Sequence, residues 1–492
     1  MKHASRLCLC LLVLAALVRA EGKPDRIAVD PETLIGPKLW YGIYMHGKKV
    51  GFAGTEWRKA NGAQGPSYEF VLSFEMKAVV LGQPIDSIMR QVTRFEARAP
   101  YRMVYSEEVN QTGPVTLRKT LHAAKVLKVV IDDGREQRTM EAPLPDYVLA
   151  DEAAQFVWFR TPRKVGDTLR VRTYDSDDFK EDVDSFEVTE VKRALANGVA
   201  TTIYVCKVSS AREGEMGIAR FSGDGTMLTA VLGGVIEIRY EPKEVAQKLE
   251  RGGDLFLLGV AKIDRPIGNP TAVTELVLEV SGAGAKHLKA GPRQAVEKSA
   301  DGTRATLKLG AAFCARVEVT KEEIAENLKE TVDFPVRSEK VVAMAKQAVA
   351  GATSDREKVD RLVRFVGDYV ADVLMPYEVS VSRVIEDKQG DCTEHAALFA
   401  TLARAAGVPA RVVTGLMYVG DDGLAFGGHA WNEVVLNDRW VPVDPAWNQT
   451  EIDATHIRTD DSKGYDDIWT MGRLRFKLVS VKTAAPAAST PR

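Results

Sequence analysis

Three segments near the C-terminus constrain the fold of this chain more than any other feature. The first is KQGDCTEHAALFATLARAAGVPARVVTG, whose pattern predicts a helix from about Cys392 to Ala406 and then a strand. The second is GGHAWNEVVL and the third is RWVPVDPAW, and both contain the β-branched and aromatic residues that are typical of strands. The segments therefore predict one helix followed by three strands.

Each segment carries one residue with a reactive side chain. Cys392 stands at the start of the helix, His429 enters the second strand, and Asp444 ends the third. A thiol nucleophile, an imidazole base and a carboxylate that orients the imidazole are the parts of a cysteine acyl-transfer triad. Because the three residues follow in this order within residues 392–444, we predict that they are catalytic.

The position of Cys392 suits a nucleophile. Asp391 precedes it as a candidate N-cap, which puts Cys392 at or near the first helical position. The free N–H groups and the positive end of the helix dipole favour a thiolate there, and the N–H of Cys392 is the leading candidate for an oxyanion donor. The alternatives are a buried core cysteine and, for the nearby His395, a rival base or a surface residue.

A hairpin brings the other two residues together in the prediction. If Asn437-Asp438 is a two-residue turn, Trp431 lies opposite Asp444, and Asp444 is then the diagonal neighbour of His429 on the same face. Such diagonal pairs have Cα atoms about 7–8 Å apart, which lets an imidazole meet a carboxylate. Pro442 lacks one ladder donor and predicts an edge strand or a bulge, and a one-residue bulge would break this geometry.

Together the segments resemble the three blocks of the transglutaminase-like domain, which belongs to the papain-like group of cysteine enzymes. The resemblance covers about residues 325–475. It implies an α+β fold in which the cysteine-bearing helix packs on an antiparallel sheet. It also implies that Cys392 is the nucleophile, His429 the base and Asp444 the orienting acid.

The chain before these segments is predicted to be β-rich. Between about residues 37 and 245, strand-like runs recur at short spacing with no convincing amphipathic helix, which is typical of an antiparallel sheet, barrel or sandwich. We predict a β-rich antiparallel domain over residues 21–250, a small β domain over 251–320 and the catalytic domain over 321–482. A low-complexity tail over 483–492 is predicted to be disordered.

Residues 1–20 have the pattern of a cleavable signal peptide. A basic start precedes the apolar run LCLCLLVLAALV, and Ala20 precedes the predicted cleavage site. A membrane anchor would need about twenty apolar residues, and the surroundings of Cys8 and Cys10 do not favour lipidation. We therefore predict a secreted or periplasmic protein with no stable membrane insertion after cleavage.

Charge and motif content argue against several classes of function. The chain has 66 basic and 68 acidic residues, a net charge of −2; loss of residues 1–20 removes three basic residues and brings it to −5, so nucleic-acid binding is not predicted. The seven histidines are scattered, and no C-x-x-C pair, H-E-x-x-H run or phosphate-binding glycine loop occurs, so we predict no metal site and no cofactor. Cys206 and Cys314 could pair and leave Cys392 as the odd thiol.

The predicted triad leaves three functions open. The expected one is an exported peptidase or amidase that attacks an amide bond of a protein or peptide substrate, forms a thioester and releases the acyl group to water. An amine acceptor in place of water would make the protein a cross-linking transglutaminase. The third is a non-catalytic binding or scaffold protein with a domain of the same kind. The sequence does not indicate an oligomeric state.

Overall fold

The chain divides into two compact units, Met1–Gly253 and Asp254–Arg492. The computed structural model describes the following residues: 24–45, 47–62, 65–80, 82–177, 179–196, 199–211, 214–232, 236–249, 254, 260–282, 285, 288–313, 318–373, 375, 380–459 and 474–484. The predicted signal peptide, most of the predicted C-terminal tail and Cys314 lie outside these residues.

Fourteen strands make up most of the N-terminal unit: β1 (Leu39–Met45), β2 (Lys48–Gly62), β3 (Gly65–Val80), β4 (Gln83–Glu96), β5 (Met103–Thr112), β6 (Val115–Ala123), β7 (Leu127–Asp132), β8 (Gln137–Ala142), β9 (Thr168–Asp175), β10 (Lys180–Ala196), β11 (Val199–Ser210), β12 (Gly214–Ser222), β13 (Met227–Leu232) and β14 (Ile236–Tyr240). They form one antiparallel sheet in the order β8-β7-β6-β5-β4-β3-β2-β1-β14-β13-β12-β11-β10-β9. Along β6, alternate side chains are buried, as expected for strands with one face in a core. The prediction that this part of the chain is β-rich and antiparallel is confirmed.

A helix in the N-terminal unit was not predicted. It is α1 (Leu149–Trp158), and a four-residue helix, α2 (Lys243–Ala246), follows the last strand. The carboxylate of Asp151 accepts a hydrogen bond from the N–H of Val148 at 3.0 Å and so caps the start of α1. Leu149 and Ala153 on the same helix are fully buried. The buried face also contains Asp151 and Gln155, so it forms no continuous apolar stripe in the sequence.

The C-terminal unit contains eleven strands within the described residues: β15 (Ala261–Ile263), β16 (Val273–Ser281), β17 (Gln294–Lys298), β18 (Arg304–Gly310), β19 (Ala371–Asp372), β20 (Gln389–Gly390), β21 (Ala410–Tyr418), β22 (Ala425–Leu436), β23 (Arg439–Val443), β24 (His456–Arg458) and β25 (Arg475–Thr483). β19 and β20 pair with each other. The other nine form one sheet in the order β17-β18-β16-β25-β15-β22-β21-β24, with β23 paired to β22.

The strands predicted to form a separate small domain over 251–320 belong to this nine-stranded sheet. β15 pairs with β22, where Ala261 lies opposite Phe426. β25, which follows the site segments in the chain, returns to pair with β16, where Leu276 lies opposite Val481. The predicted boundary at residue 320 is therefore corrected: the sheet continues across it, because pairing between strands distant in sequence leaves no local signal.

Five helices precede or flank the site strands: α3 (Lys321–Glu326), α4 (Glu339–Ala348), α5 (Asp355–Tyr369), α6 (Val381–Asp387) and α7 (Cys392–Ala405). The buried faces of α4 to α7 pack with Val434, Leu436 and Val443 of the sheet in one apolar core. Ser354 caps α5, and its hydroxyl accepts a hydrogen bond from the N–H of Glu357 at 3.2 Å. Among the described residues, no helix is long and apolar enough to cross a membrane.

Candidate active site

Cys392 is the first residue of α7. The carboxylate of Asp391 accepts a hydrogen bond from the N–H of Thr393 at 2.9 Å, and the carboxylate of Glu394 accepts one from the N–H of Asp391 at 3.0 Å. This capping box fixes the start of the helix, and the predicted N-cap is confirmed. The side chain of Cys392 is partly exposed. A first-turn N–H of this kind has no acceptor within the helix, which leaves it available to a ligand.

A buried amide holds this helix on the strand that carries His429. Asn432 of β22 is fully buried, and its side-chain nitrogen donates to the carbonyl of Ala396 at 2.9 Å and to that of Arg411 at 3.3 Å. The first bond reaches α7 one turn after Cys392, and the second reaches the neighbouring strand. A single side chain therefore fixes the helix relative to two strands of the sheet.

The hairpin after β22 has the predicted register. Leu436 lies opposite Arg439, and Asn437 and Asp438 both have positive φ angles, 51° and 57°, as a two-residue type I′ turn requires. Among the described residues, β23 pairs with β22 and otherwise makes one isolated bridge, between Arg439 and Glu318, which agrees with the edge strand, rather than the bulge, predicted from Pro442. Asp444 follows directly after the last residue of β23.

His429 links the other two predicted residues. Its Nε2 lies 2.8 Å from Oδ2 of Asp444, and its ring is hydrogen-bonded to the side chain of Cys392. Because Nε2 is engaged by the carboxylate, Nδ1 is the nitrogen available to the thiol. The ring of Trp431 stacks beside that of His429, with centroids 6.0 Å apart and planes 20° apart. The structure thus brings Cys392, His429 and Asp444 into one hydrogen-bonded chain.

Burial and charge shift the pKa values of His429 and Asp444 in opposite directions. Burial alone would lower the pKa of His429, but the charge of Asp444 and the hydrogen bonds to Asp444 and Cys392 outweigh it and raise that pKa to about 9. For Asp444, burial would raise the pKa, yet the adjacent imidazoles hold it well below its usual range. The resulting arrangement favours a carboxylate and an imidazolium next to the thiol.

His456 is part of the site and was not predicted. Its Nε2 lies 3.1 Å from the same Oδ2 of Asp444, and its Nδ1 lies 3.2 Å from Oδ1 of Asp453. The side chain is fully buried. Burial lowers its pKa, but the hydrogen bonds and charges of the two carboxylates raise it to about 9. Asp444 therefore accepts hydrogen bonds from two imidazoles.

Strand pairing explains why His456 escaped sequence reasoning. β21 lies between β22 and β24, so that Gly415 of β21 is opposite His429 on one side, and the next strand brings His456 in from the other. A Cβ at Gly415 would lie 2.1 Å from the carbonyl oxygen of Ile457 and 2.7 Å from the ring of Trp431. A glycine is required there for the strands and rings to approach this closely. No local motif around His456 indicates such a neighbour.

His429, Asp444 and His456 could offer three atoms to a metal ion, since the atoms lie within 4.8 Å of one another. Their contacts fit a hydrogen-bonded cluster instead: both imidazole nitrogens lie at hydrogen-bond distance from one carboxylate oxygen, which leaves no free lone pair directed between them. His395, considered as a rival base or surface residue, is buried, and its ring nitrogens face the carbonyls of Asp391 and Val370.

Cys206 differs from Cys392. It lies in β11, is fully buried and is a free thiol. Cys314, the partner considered for it, lies outside the described residues. Burial raises the pKa of the Cys206 thiol to about 12.

Comparison with known families finds one match. A model described as the transglutaminase-like superfamily matches residues 342–445. The matched segment contains Cys392, His429 and Asp444 and ends before His456. A search of curated proteins found no match.

Three solved structures are similar to parts of the chain. One is a candidate cysteine protease from Cytophaga hutchinsonii (14% identity, 45% of this chain and 89% of that chain, TM-score 0.27). Another is the periplasmic domain of TgpA from Pseudomonas aeruginosa (17% identity, 40% and 91%, TM-score 0.28). The third is a β-barrel-like protein of unknown function from Brucella abortus (10% identity, 42% and 96%, TM-score 0.30). Scores this low do not establish a shared fold.

Proposed function

The chain carries a transglutaminase-like domain, and we propose that this domain makes it a cysteine-dependent acyl-transfer enzyme that acts on amide bonds of proteins or peptides. One observation carries the proposal: the hydrogen-bonded chain from Cys392 through His429 to Asp444. A partly exposed thiol beside a buried imidazole and carboxylate is the arrangement that nucleophilic catalysis needs. The papain-like α+β fold belongs to the same proposal and is supported by the packing of α7 on the sheet.

The proposed reaction has two steps. The Cys392 thiolate attacks the amide carbonyl carbon, the C–N bond breaks, and the His429 imidazolium gives its proton to the leaving amine, which leaves a thioester. The N–H of Cys392 is the candidate donor to the oxyanion. Water then attacks the thioester while His429 takes a proton, the C–S bond breaks, and the carboxylic acid and the thiolate are released.

Asp444 keeps His429 in the required orientation throughout. The carboxylate accepts from Nε2, so the proton exchanged with thiol, amine or water moves through Nδ1. Asp444 also receives the N–H of Ala446 at 2.9 Å, which fixes its second oxygen. The acid is therefore oriented from its own chain as well as by the imidazole.

We propose hydrolysis rather than transfer to an amine, because water is the more abundant acceptor. We also propose that residues 1–20 are a signal peptide and that the protein is secreted or periplasmic, on the basic start and short apolar run of that segment. N-terminal sequencing of exported protein should begin at or near Glu21, and a start at Met1 or a lipidated cysteine would contradict export by this route.

The reaction is tested on glutamine-containing peptides and proteins, with and without an added primary amine. Hydrolysis predicts ammonia or new peptide termini from the native protein and no amine incorporation, with both products absent from the Cys392→Ala variant. His395→Gln is the matched histidine control, because His395 contacts backbone carbonyls outside the triad. Amine incorporation would replace hydrolysis by cross-linking. Equal product from the native protein and Cys392→Ala would contradict the proposed function.

A further inference from the structure

The carboxylate of Asp444 is saturated with donors. Oδ1 accepts from the N–H of Ala446 at 2.9 Å and that of Trp447 at 3.3 Å. Oδ2 accepts from His429 at 2.8 Å and His456 at 3.1 Å. An ionised carboxylate offers acceptors only, so each imidazole must present an N–H to it. His456 therefore carries a proton on Nε2.

The other nitrogen of His456 also faces an ionised carboxylate. Asp453 accepts at Oδ1 from the N–H and hydroxyl of Thr455, at 2.8 and 2.7 Å, and at Oδ2 from the side chain of Gln449 at 2.7 Å. All three groups donate to Asp453, so both of its carboxylate oxygens act as acceptors. Neither oxygen carries a proton that it could donate to Nδ1 of His456. A neutral His456 would place a lone pair against Oδ1, 3.2 Å away. Both nitrogens must carry protons.

We propose that His456 is a positioning residue: a buried imidazolium, held between Asp453 and Asp444, that fixes the carboxylate for His429 and limits how strongly that carboxylate holds the proton of His429. The proposal rests on the proposed function of Cys392, His429 and Asp444. The family match ends at residue 445 and includes neither His456 nor Asp453.

The charge of His456 reaches His429 directly. The two ring centroids are 5.5 Å apart, and the rings share Oδ2 of Asp444. A like charge at this distance disfavours the protonated form of its neighbour. Without the His456 cation, Asp444 would act on His429 alone, so His429 would hold its proton to higher pH and would be a poorer acid toward the leaving amine.

The surroundings of His456 contain few other groups that could supply or cancel its charge. Trp431 packs edge-on against the ring, with centroids 5.3 Å apart, and does not titrate. Arg458 of β24 and Glu433 of β22 form an ion pair with each other, with Nε and Oε1 3.1 Å apart. The charged groups that hydrogen-bond His456 are thus Asp444 and Asp453, and His429 is the third group that titrates with them.

The protonation of His456 is measured first in the unaltered full chain. Histidine ring nitrogens labelled with ¹⁵N report the proton on each nitrogen, and the His456→Gln variant assigns the signal. We expect both His456 nitrogens to carry protons at pH 7.5. In Asp453→Asn the pH at which His456 loses its proton should fall by about one unit or more, since the variant removes one anion. A neutral His456 at pH 7.5 in the native protein would overturn the proposal.

The effect on the reaction is measured by the pH dependence of Cys392 alkylation with iodoacetamide and by the ¹⁵N titration of His429. In His456→Gln, which keeps a donor for Asp444 but no charge, the proton loss of His429 should move up by about one unit or more. Asp453→Asn should also raise the pH at which His429 loses its proton, over the pH range in which this variant has a neutral His456. Asp301→Asn, an exposed aspartate in a turn, is the matched control and should change nothing.

The outcomes separate this inference from the proposed function. A native protein whose Cys392 alkylation does not respond to pH, or to His429→Ala, contradicts the proposed function and the positioning role with it. A native protein that responds as expected, with an unmoved His429 titration in both His456→Gln and Asp453→Asn, contradicts the positioning role alone. A structural role would lower stability in these variants and leave the titration in place.

Discussion

Two groups of buried charges, one in the sheet of the N-terminal unit and one around Asp444 in the C-terminal unit, differ in kind. In the N-terminal unit, Lys119 is buried on β6, where it forms ion pairs with Glu108 at 3.3 Å and with Asp177. Glu69 is likewise held by two arginines. In the C-terminal unit, the buried cations beside Asp444 are imidazoles. Lysine and arginine keep their protons at all ordinary pH values, whereas an imidazole can give and take one near neutral pH.

This difference indicates which buried charges can take part in proton transfer. The ion pairs of Lys119 and of Glu69 balance charge permanently, and they let polar groups lie inside a sheet. The charges around Asp444 balance one another only while the imidazoles are protonated, and one of these imidazoles contacts a thiol. The same contrast separates the cysteines, since Cys206 lies in an apolar strand and Cys392 at a helix N-terminus next to His429.

The largest expected effect concerns Asp444, at the centre of the charges that include imidazoles. Asp444→Asn should reduce turnover on a confirmed substrate by about two to four orders of magnitude, because an amide can donate as well as accept and no longer fixes which nitrogen of His429 faces the thiol. Steady-state kinetics measure the loss, and circular dichroism checks that the fold is intact. An Asp444→Asn variant with full activity would refute the role of Asp444.

A structural charge should behave differently. Lys119→Met leaves the buried Glu108 and the half-buried Asp177 without their cation, and we expect it to lower the free energy of unfolding by about 3–5 kcal/mol. Urea unfolding followed by tryptophan fluorescence measures the change. Lys128→Met, at an exposed position of the adjacent strand β7, is the control. If Lys119→Met lowers the free energy of unfolding no more than this control does, the ion pairs of Lys119 do not stabilise the N-terminal unit.

The imidazoles should also make stability depend on pH. His456 has a folded pKa of about 9, above its unfolded value near 6.5, so its contribution is fully present below the unfolded value and is lost as the pH rises through the folded one. We expect the native protein to exceed His456→Gln by on the order of 1–3 kcal/mol at pH 6 and to lose that advantage by pH 10. Denaturant unfolding at both pH values measures it. A difference that does not change with pH would show that His456 contributes no proton-linked stability.

An effect of similar size is expected for the link between helix and sheet. Asn432→Ala removes the donors to the carbonyls of Ala396 and Arg411 and should cost about 1–3 kcal/mol of stability. It should also slow alkylation of Cys392, because α7 is no longer fixed to β22. Thr401→Ala, which removes a hydrogen bond within the same helix, is the matched control. Equal alkylation rates in both variants would show that Asn432 does not position Cys392.

Local signals account for the part of the site that the sequence predicted. The start of α7 follows from Asp391 and Glu394, and the hairpin register follows from the two-residue turn at Asn437-Asp438. Both depend on residues a few positions apart. Each therefore could be derived before the structure was known.

Long-range pairing accounts for what was missed. His456 reaches Asp444 only because β24 pairs with β21, and β15 to β18 join the site sheet through β25 and β22. Neither contact has a signature in the residues nearby. The helix α1 was missed for another reason: its five buried residues include Asp151 and Gln155, so the buried face has no continuous apolar pattern.

Competitive alkylation of Cys392 and Cys206, the free cysteines among the described residues, tests the central claim most directly. Native protein is treated with limiting iodoacetamide, and peptide mapping gives the modified fraction of Cys392 and Cys206 over time, with the His429→Ala variant alongside. We predict that Cys392 is modified first and that His429→Ala slows its modification, while Cys206 reacts only on unfolding. Faster modification of Cys206, or an equal rate at Cys392 in the native protein and His429→Ala, would contradict the account.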